Sequence, residues 1–140
     1  MPAPDFLDTN VLLYAYDSSD RRKQFIAHDL LRKALAGNSM VSTQVLAECA
    51  SALLHKISPP ALPKDLKAIL NALAPIRVIL PDGDMVGRAV EARAEYGVHF
   101  YDGMIIAAAE RGKCLRIWSE DLNTGQKYFG ITVENPFEPR

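Results

Sequence analysis

The sequence predicts an α/β fold, a three-layer α/β/α domain whose central sheet is mostly parallel and has four to five strands. Short apolar runs alternate with longer segments in which apolar residues recur every three or four positions. This alternation predicts strands separated by amphipathic helices. The segments between the apolar runs are long enough for crossover helices, which join parallel strands. A chain of 140 residues, 49% of them hydrophobic, fits one domain with a substantial core, so we expect a single domain over residues 1–140.

The elements predicted for the first half, in chain order, are a buried strand at 5–8, a short helix at 10–16, a helix at 21–36, a strand at 39–42 and a helix from about 43 to 56. The helix at 21–36 has one apolar stripe, formed by Phe25, Ile26, Leu30, Leu31, Ala34 and Leu35. Gly37 ends this helix. Ser42 or Thr43 can cap the helix that follows the second strand.

A loop is expected at residues 57–63, because this segment contains three prolines. The elements predicted after it are a helix at 64–74, a strand at 77–80, a helix from about 84 to 96, a helix at 101–111, a strand at 115–119 and a candidate fifth strand at 131–134. The helix at 101–111 is apolar on nearly all sides, which is typical of a buried helix.

The composition is that of an ordinary soluble protein. Charged residues make up 24% of the chain and the formal net charge is −1, so the overall charge does not indicate nucleic-acid binding. Cys49 and Cys114 lie in apolar patterns without a second Cys or a His at metal-ligand spacing, so we expect buried free thiols. The sequence has no signal-peptide pattern and no apolar run of membrane-spanning length. We therefore expect a cytoplasmic protein that does not enter a membrane.

Four acidic residues stand where an apolar run meets a turn or a helix: Asp8, Glu48, Asp102 and Asp121. Asp8 closes the first predicted strand, and Asp121 follows the strand at 115–119. Glu48 lies in the second turn of the helix that leaves the second strand. Asp102 begins a helix that precedes a parallel strand. In a parallel sheet all of these points lie at the carboxyl edge, so the topology predicts one acidic cluster.

Such a cluster would repel itself if its carboxylates were ionised and unpaired. A divalent cation relieves the repulsion, and carboxylate and water oxygens suit Mg²⁺ or Mn²⁺. Zn²⁺ is less favoured, because the four candidate ligands are all carboxylates. Metal ions held there could activate a water and stabilise a phosphoryl oxygen during an in-line displacement.

Each acid also has a structural explanation. Asp8 and Asp102 could cap or stabilise the helices that they begin, and Asp121 could belong to a turn. Glu48 is the hardest to explain in this way, because it borders a buried stripe and has no basic residue three or four positions away. These separate explanations do not account for the meeting of all four residues.

The segments that carry these acids resemble the PIN-domain family, and within it the VapC-type toxin ribonucleases. The matching segments are LDTNVLLY, STQVLAE, HFYDGMIIAAA and WSEDLNTGQ, and the resemblance spans nearly the whole chain. The first and last segments are the more specific ones. Gly103 departs from the family, in which an alanine commonly follows the third acid.

The resemblance implies an endoribonuclease that depends on Mg²⁺ or Mn²⁺ and acts as the toxin of a type II toxin–antitoxin pair. It implies that Asp8, Glu48, Asp102 and Asp121 are the catalytic and metal-binding quartet. Asn10 and Ser119 would have auxiliary roles through hydrogen bonds to a ligand or water. It also implies a homodimer, an RNA substrate and a small cognate antitoxin whose tail blocks the acidic pocket.

RNA must be held beside a negative pocket, and the candidate contacts are Arg21, Arg22, Lys23 and Lys127. Two alternatives to the nuclease remain open. A Mg²⁺-dependent phosphatase or phosphotransferase could use Asp8 as its nucleophile, although such enzymes usually have a second Asp where this chain has Asn10. The other alternative is a non-catalytic RNA-binding module with the same fold.

Overall fold

A computed structural model describes residues 3–138 of the protein. The strands are β1 (Asp5–Leu7), β2 (Ser39–Ser42), β3 (Arg77–Ile79), β4 (Arg116–Trp118), β5 (Lys127–Tyr128) and β6 (Ile131–Glu134). The helices are α1 (Thr9–Tyr14), α2 (Arg21–Leu35), α3 (Thr43–His55), α4 (Pro63–Leu73), α5 (Gly83–Tyr96) and α6 (Phe100–Arg111). Among these residues no helix is long and apolar enough to cross a bilayer.

The six strands form one sheet in the order β3-β2-β1-β4-β6-β5. Every neighbouring pair is parallel except β5 and β6, which are antiparallel. The predicted α/β fold with a mostly parallel sheet is therefore confirmed. From β1 the chain moves through β2 to β3 on one side, and then returns past β1 to β4. The strand order thus reverses between β1 and β4, and in such sheets the crevice outside the carboxyl ends at this point is where ligands bind.

β5 is the strand that the sequence did not predict. It has two residues, too few to show the alternation of apolar and polar side chains that marks a strand. Phe129 and Gly130 connect it to β6, and both have positive φ, of 49° and 84°. This is the backbone of a tight two-residue hairpin, whose twist suits antiparallel pairing.

The predicted helices are all present, and their boundaries moved by a few residues. α6 begins at Phe100, with His99 as its N-cap. α4 begins at Pro63, where the predicted loop ends, because proline fits the first turn of a helix without losing a hydrogen bond. Ser42 caps α3 by accepting a hydrogen bond from the Val45 amide at 3.3 Å, so the first of the two proposed caps is the one used.

Gly103 has a packing role between α5 and α6. A Cβ atom added there would lie 2.7 Å from the Ala89 carbonyl oxygen, which is too close for any real contact. Ala89 is fully buried, and seven consecutive residues of α6 from Gly103 to Ala109 are buried as well. The departure from alanine at position 103 therefore permits a close approach of two helices, and this approach holds the start of α6 against the sheet.

Candidate active site

All four predicted acids line one cavity of about 300 Å³ at the carboxyl edge of the sheet. The cavity lies where β1 and β4 end, at the reversal of the strand order. Its lining consists of Asp8, Thr9, Asn10, Leu13, Glu48, Ser51, Ala52, Lys56, Asp102, Ile105 and Asp121. Residues from four distant segments of the chain are thus brought together by the topology of the sheet.

Asp8 is buried at the end of β1, with 5% of its surface exposed. It is the N-cap of α1, and one carboxylate oxygen accepts from the Thr9 amide at 2.7 Å. The other oxygen accepts from the Ser119 hydroxyl at 2.7 Å. Burial raises the pKa of this carboxyl to about 6, the two hydrogen bonds oppose the rise, and the charges of Asp121 and Asp102 add to it. The capping role is therefore real, but it does not neutralise the charge.

Ser119 connects Asp8 to the loop that carries Asp121. Its side chain is fully buried. While its hydroxyl donates to Asp8, its oxygen accepts from the backbone amides of Asp121 at 3.1 Å and Leu122 at 3.2 Å. The Asp121 carboxylate in turn accepts from the Asn10 side chain at 2.9 Å. The two residues predicted to be auxiliary are thus the ones that orient two of the acids.

Glu48 projects from the face of α3 that borders the cavity, and it is exposed. Its carboxylate accepts from the Gln44 side chain at 2.6 Å and more weakly from the Thr9 hydroxyl at 3.5 Å. Gln44 also donates to the Tyr101 carbonyl at 3.1 Å, which ties α3 to the start of α6. The acid that lacked an explanation from sequence is therefore held by neutral donors.

Asp102 lies in the first turn of α6, and the N-cap of that helix is His99. Asp102 is therefore not the N-cap, but its position in the first turn still fits the other structural role expected for it, as a partner of the helix dipole. Burial raises its pKa above the usual range, and the negative charges of Asp121 and Glu48 raise it further. The pKa of Asp121 is raised by burial and then by the charges of Glu120 and Glu48. The charges of Asp121 and Glu48 both raise the pKa of Asp102, as expected for carboxylates that line one cavity.

None of the four acids forms an ion pair with Lys or Arg within residues 3–138. In the same part of the chain, no three His, Cys, Asp or Glu side chains already converge closely enough to hold a metal ion. An oxygen-only set that lines a cavity without closing on one point suits a hydrated Mg²⁺ or Mn²⁺. Such ions keep several waters and use only one or two carboxylates. The donors fit a hard divalent cation and do not form a closed cage.

Sequence reasoning missed several residues of the site. Gln44 could have been found, because it stands one helical turn before Glu48. Lys56 lies eight residues after Glu48, at a spacing that returns to nearly the same face of the helix. Glu120 gave no sequence signal, because its partners Tyr14 and Lys23 lie about a hundred residues away: it accepts from the Tyr14 hydroxyl at 2.7 Å and from the Lys23 ammonium at 2.5 Å.

The four basic residues predicted to contact RNA have different surroundings. Lys23 forms the ion pair with Glu120, and Arg22 donates to the Phe137 carbonyl at 2.6 Å. Arg21 and Lys127 are exposed. Lys23 and Arg22 thus stabilise the loop after β4 and the C-terminal segment, while Arg21 and Lys127 present their charge to solvent.

The chain belongs to the PIN-domain family, whose family model matches residues 6–129. Domains of this family are in general nucleases. Comparison with curated proteins finds no significant match.

Solved structures share the fold at low sequence identity. A toxin–antitoxin complex from Klebsiella pneumoniae contains a chain that is 20% identical, with a TM-score of 0.67 over 96% of this chain and 99% of that one. FitAB bound to an IR36 DNA fragment has 17% identity and a TM-score of 0.70, with 97% of both chains covered. FitAcB from Neisseria gonorrhoeae has 18% identity and a TM-score of 0.62, over 96% of this chain and 99% of that chain.

Proposed function

We propose that the protein is an endoribonuclease that uses Mg²⁺ or Mn²⁺ to hydrolyse RNA phosphodiesters. The observation that carries the proposal is the cavity at the reversal of the sheet, where four acids meet without a basic partner among residues 3–138. Membership of the PIN-domain family supports a nuclease. Asp8 supports a role for divalent cations, because it is buried without an ion pair in the described residues and buried charges are usually either paired or bound to metals.

Asp8, Asp102 and Asp121 would hold the ion, directly or through its waters. When bound, the cation supplies positive charge for the phosphoryl oxygen and lowers the pKa of a water. Ser119 and Thr9 keep the Asp8 oxygens in place, and Asn10 does the same for Asp121. These neutral donors orient the carboxylates without cancelling the charge that attracts the ion.

Glu48 would orient the attacking water and accept its proton. It is exposed on the cavity wall, and its hydrogen-bond partners Gln44 and Thr9 are neutral. The water oxygen forms a bond to phosphorus, the bond from phosphorus to the leaving ribose oxygen breaks, and a proton returns to that oxygen. Chain cleavage needs no further co-reactant.

We also propose that the protein is the toxin of a type II toxin–antitoxin pair, works as a homodimer in the cytoplasm, and is inhibited by a small antitoxin. The support is the fold that it shares with a chain of a toxin–antitoxin complex. Expression of the wild-type chain is expected to arrest growth, and expression of the Asp102→Asn variant is not. Equal growth with the two chains would contradict the toxin role while leaving the nuclease chemistry open.

Cleavage of RNA in the presence and absence of metal tests the chemistry directly. Total RNA and a labelled single-stranded RNA are incubated with the protein in Mn²⁺, in Mg²⁺ and in chelator. We expect cleavage with metal and none in chelator. The Asp102→Asn variant, purified in parallel, excludes a contaminating nuclease, and Glu95→Gln on the exposed side of α5 controls for loss of an acid.

Equal cleavage by the wild type and Asp102→Asn, or cleavage that survives the chelator, would contradict the proposal. A covalent phosphate trapped on Asp8 would instead support a phosphotransferase. RNA binding without cleavage under every metal condition would favour the alternative of a non-catalytic RNA-binding module.

A further inference from the structure

One end of the acidic cavity is lined by a lysine that the chemistry above does not use. Lys56 immediately follows α3, and it is the one basic side chain among the lining residues in the described range 3–138. Glu48, Ser51 and Ala52 line the cavity from the same helix. Counted from Glu48, Ser51 lies at i+3, Ala52 at i+4 and Lys56 at i+8. One side of α3 and the residue after it therefore form a wall of the cavity, with an acid at one end and a cation at the other.

The Lys56 ammonium is not occupied by a partner. Lys56 is exposed, and its side chain forms no hydrogen bond or ion pair with any residue from 3 to 138. Eight residues separate it from Glu48, which corresponds to about 12 Å along a helix. Glu48 is instead held by Gln44. Lys23 differs from Lys56, because it is neutralised by Glu120.

The cavity therefore has an electrostatic polarity. Its acidic end attracts metal ions and repels a phosphate chain, while its basic end attracts phosphate. RNA lying in the cavity would place one phosphate at the acids, where a cation offsets the negative charge. The neighbouring phosphate would need a positive charge of its own beside it. A lysine binds phosphate as a point charge on a flexible stem, so exact preorganisation is not required.

We propose that Lys56 binds a backbone phosphate of the RNA next to the one that is cleaved, and so sets the direction in which the strand crosses the site. This inference rests on the proposed function. Its position just beyond α3 also lets Lys56 interact with the negative end of the helix dipole. That structural role would affect stability, but it would not affect the binding of one particular phosphate.

The first test compares Lys56→Gln with Lys67→Gln, which removes an exposed charge from the neighbouring helix α4 and lines none of the cavity. Binding of a labelled single-stranded RNA is measured with Mn²⁺ present over a range of salt concentrations, and every chain also carries Glu48→Gln, so that a cation compensates the acids while cleavage is suppressed. We expect Lys56→Gln to weaken binding about tenfold and to reduce the slope of log affinity against log salt by about 0.7. Lys67→Gln is expected to leave both unchanged, and Lys56→Arg to restore both.

The second test locates the phosphate. A set of RNAs, each with one neutral methylphosphonate linkage, is bound to the wild type and to Lys56→Gln. One linkage should weaken binding to the wild type and have no effect on the variant, because the contact is already absent. Thermal unfolding of Lys56→Gln measures the helix-dipole role separately, because the Lys56 side chain forms no hydrogen bond or ion pair within the described residues.

Unchanged RNA binding in Lys56→Gln, or an equal loss in Lys67→Gln, would overturn the inference. Loss of polyglutamate binding with unchanged RNA binding would assign Lys56 to an acidic peptide instead. Failure of the proposed function is distinguishable: a wild type that does not cleave RNA, but whose binding depends on Lys56, retains the phosphate contact without the nuclease. If the wild type cleaves RNA and Lys56→Gln does not change RNA binding, the proposed phosphate contact is wrong and the proposed nuclease activity stands.

Discussion

Strand β1 has an aspartate at each end, and the two have opposite surroundings. Asp5, at the amino end, accepts from Arg116 at 3.2 and 2.8 Å and from the Trp118 indole at 3.0 Å. Asp8, at the carboxyl end, accepts from one amide and one hydroxyl, both neutral. The same side chain is neutralised by a cation at one edge of the sheet and left charged at the other. This difference is what supports the proposed cation site at the carboxyl edge.

The cavities at the two edges lead to the same conclusion. A cavity of about 430 Å³ lies at the amino edge and is lined by Asp5, Arg77 and Arg116 among others. It is larger than the acidic one, but its carboxylate already has an arginine partner. The proposed site therefore rests on uncompensated charge and not on cavity volume.

The largest expected effect is a difference in RNA cleavage between variants of Asp8 and of Asp5. Asp8→Asn should reduce RNA cleavage by more than about 100-fold, the upper end of the loss seen for residues that only support a metal ligand. Asp5→Asn should leave cleavage per folded molecule nearly unchanged, because its partners lie at the other edge. Initial rates at saturating Mn²⁺ are the measurement. Similar rates for the two variants would remove the distinction between the edges.

The next effect is a dependence of stability on pH, measured in chelator so that no cation binds. Burial raises the pKa of Asp8 from 3.8 to about 6, a shift that corresponds to about 3 kcal/mol. As pH falls through 6 the folded state takes up the proton, while the unfolded state stays ionised until about 3.8. The wild type should therefore gain stability as pH falls across this window, and the cost of the charge is fully present above pH 6.

Asp8→Asn is the control for this measurement, because its amide does not titrate. The free energy of unfolding of the wild type minus that of the variant should rise by about 2.4 kcal/mol between pH 7 and pH 4, because the unfolded state also begins to take up its proton near pH 4. At pH 7 in chelator the variant should be the more stable protein. A difference that does not vary with pH would show that the Asp8 charge has no cost in the folded protein.

At the amino edge, the same Asp→Asn substitution should change the free energy of unfolding in the opposite direction. Asp5→Asn should destabilise the protein by about 1–2 kcal/mol at pH 7, because Arg116 loses its charged partner and the two hydrogen bonds to the Asp5 carboxylate. The pair is partly exposed, and solvent screening keeps the cost low. Chemical denaturation of both variants against the wild type measures this. Stabilisation by Asp5→Asn would contradict the structural role of the pair.

The smallest effect compares two buried serines at opposite edges, Ser119 and Ser39. Ser119→Ala removes the donor to Asp8 and the acceptor for two amides of the Asp121 loop. It should raise the Mn²⁺ concentration for half-maximal cleavage about tenfold. Ser39→Ala should leave that concentration unchanged. Equal metal dependence in the two variants would mean that Ser119 does not position the acids.

Much of the fold could be read from local patterns. The strands at 5–8 and 39–42 and the helix at 21–36 have apolar periodicities that depend only on near neighbours in the chain, and the structure contains all three. β5 could not be read in this way, because two residues have no period and their pairing depends on β6. The reason for Gly103 was also hidden, because it depends on the Ala89 backbone of another helix.

The site divides in the same way. Asp8, Glu48, Asp102 and Asp121 could be proposed from the positions of acids at predicted element ends, and they line one cavity. The ion pair that occupies Lys23 could not, since Glu120 lies 97 residues further along the chain. Sequence reasoning placed Lys23 among the RNA contacts, where its role remains a prediction.

By itself the sequence determined the alternation of strands and helices and the identity of the residues that can carry charge, because both depend on local composition and spacing. The tertiary structure alone decided which charges are neutralised. Asp5 and Asp8 are the same residue type three positions apart, and only the pairing of β1 with β4 brings Arg116 to the first and Ser119 to the second. Electrostatic energy depends on distance in space and on burial, and neither is encoded by position along the chain.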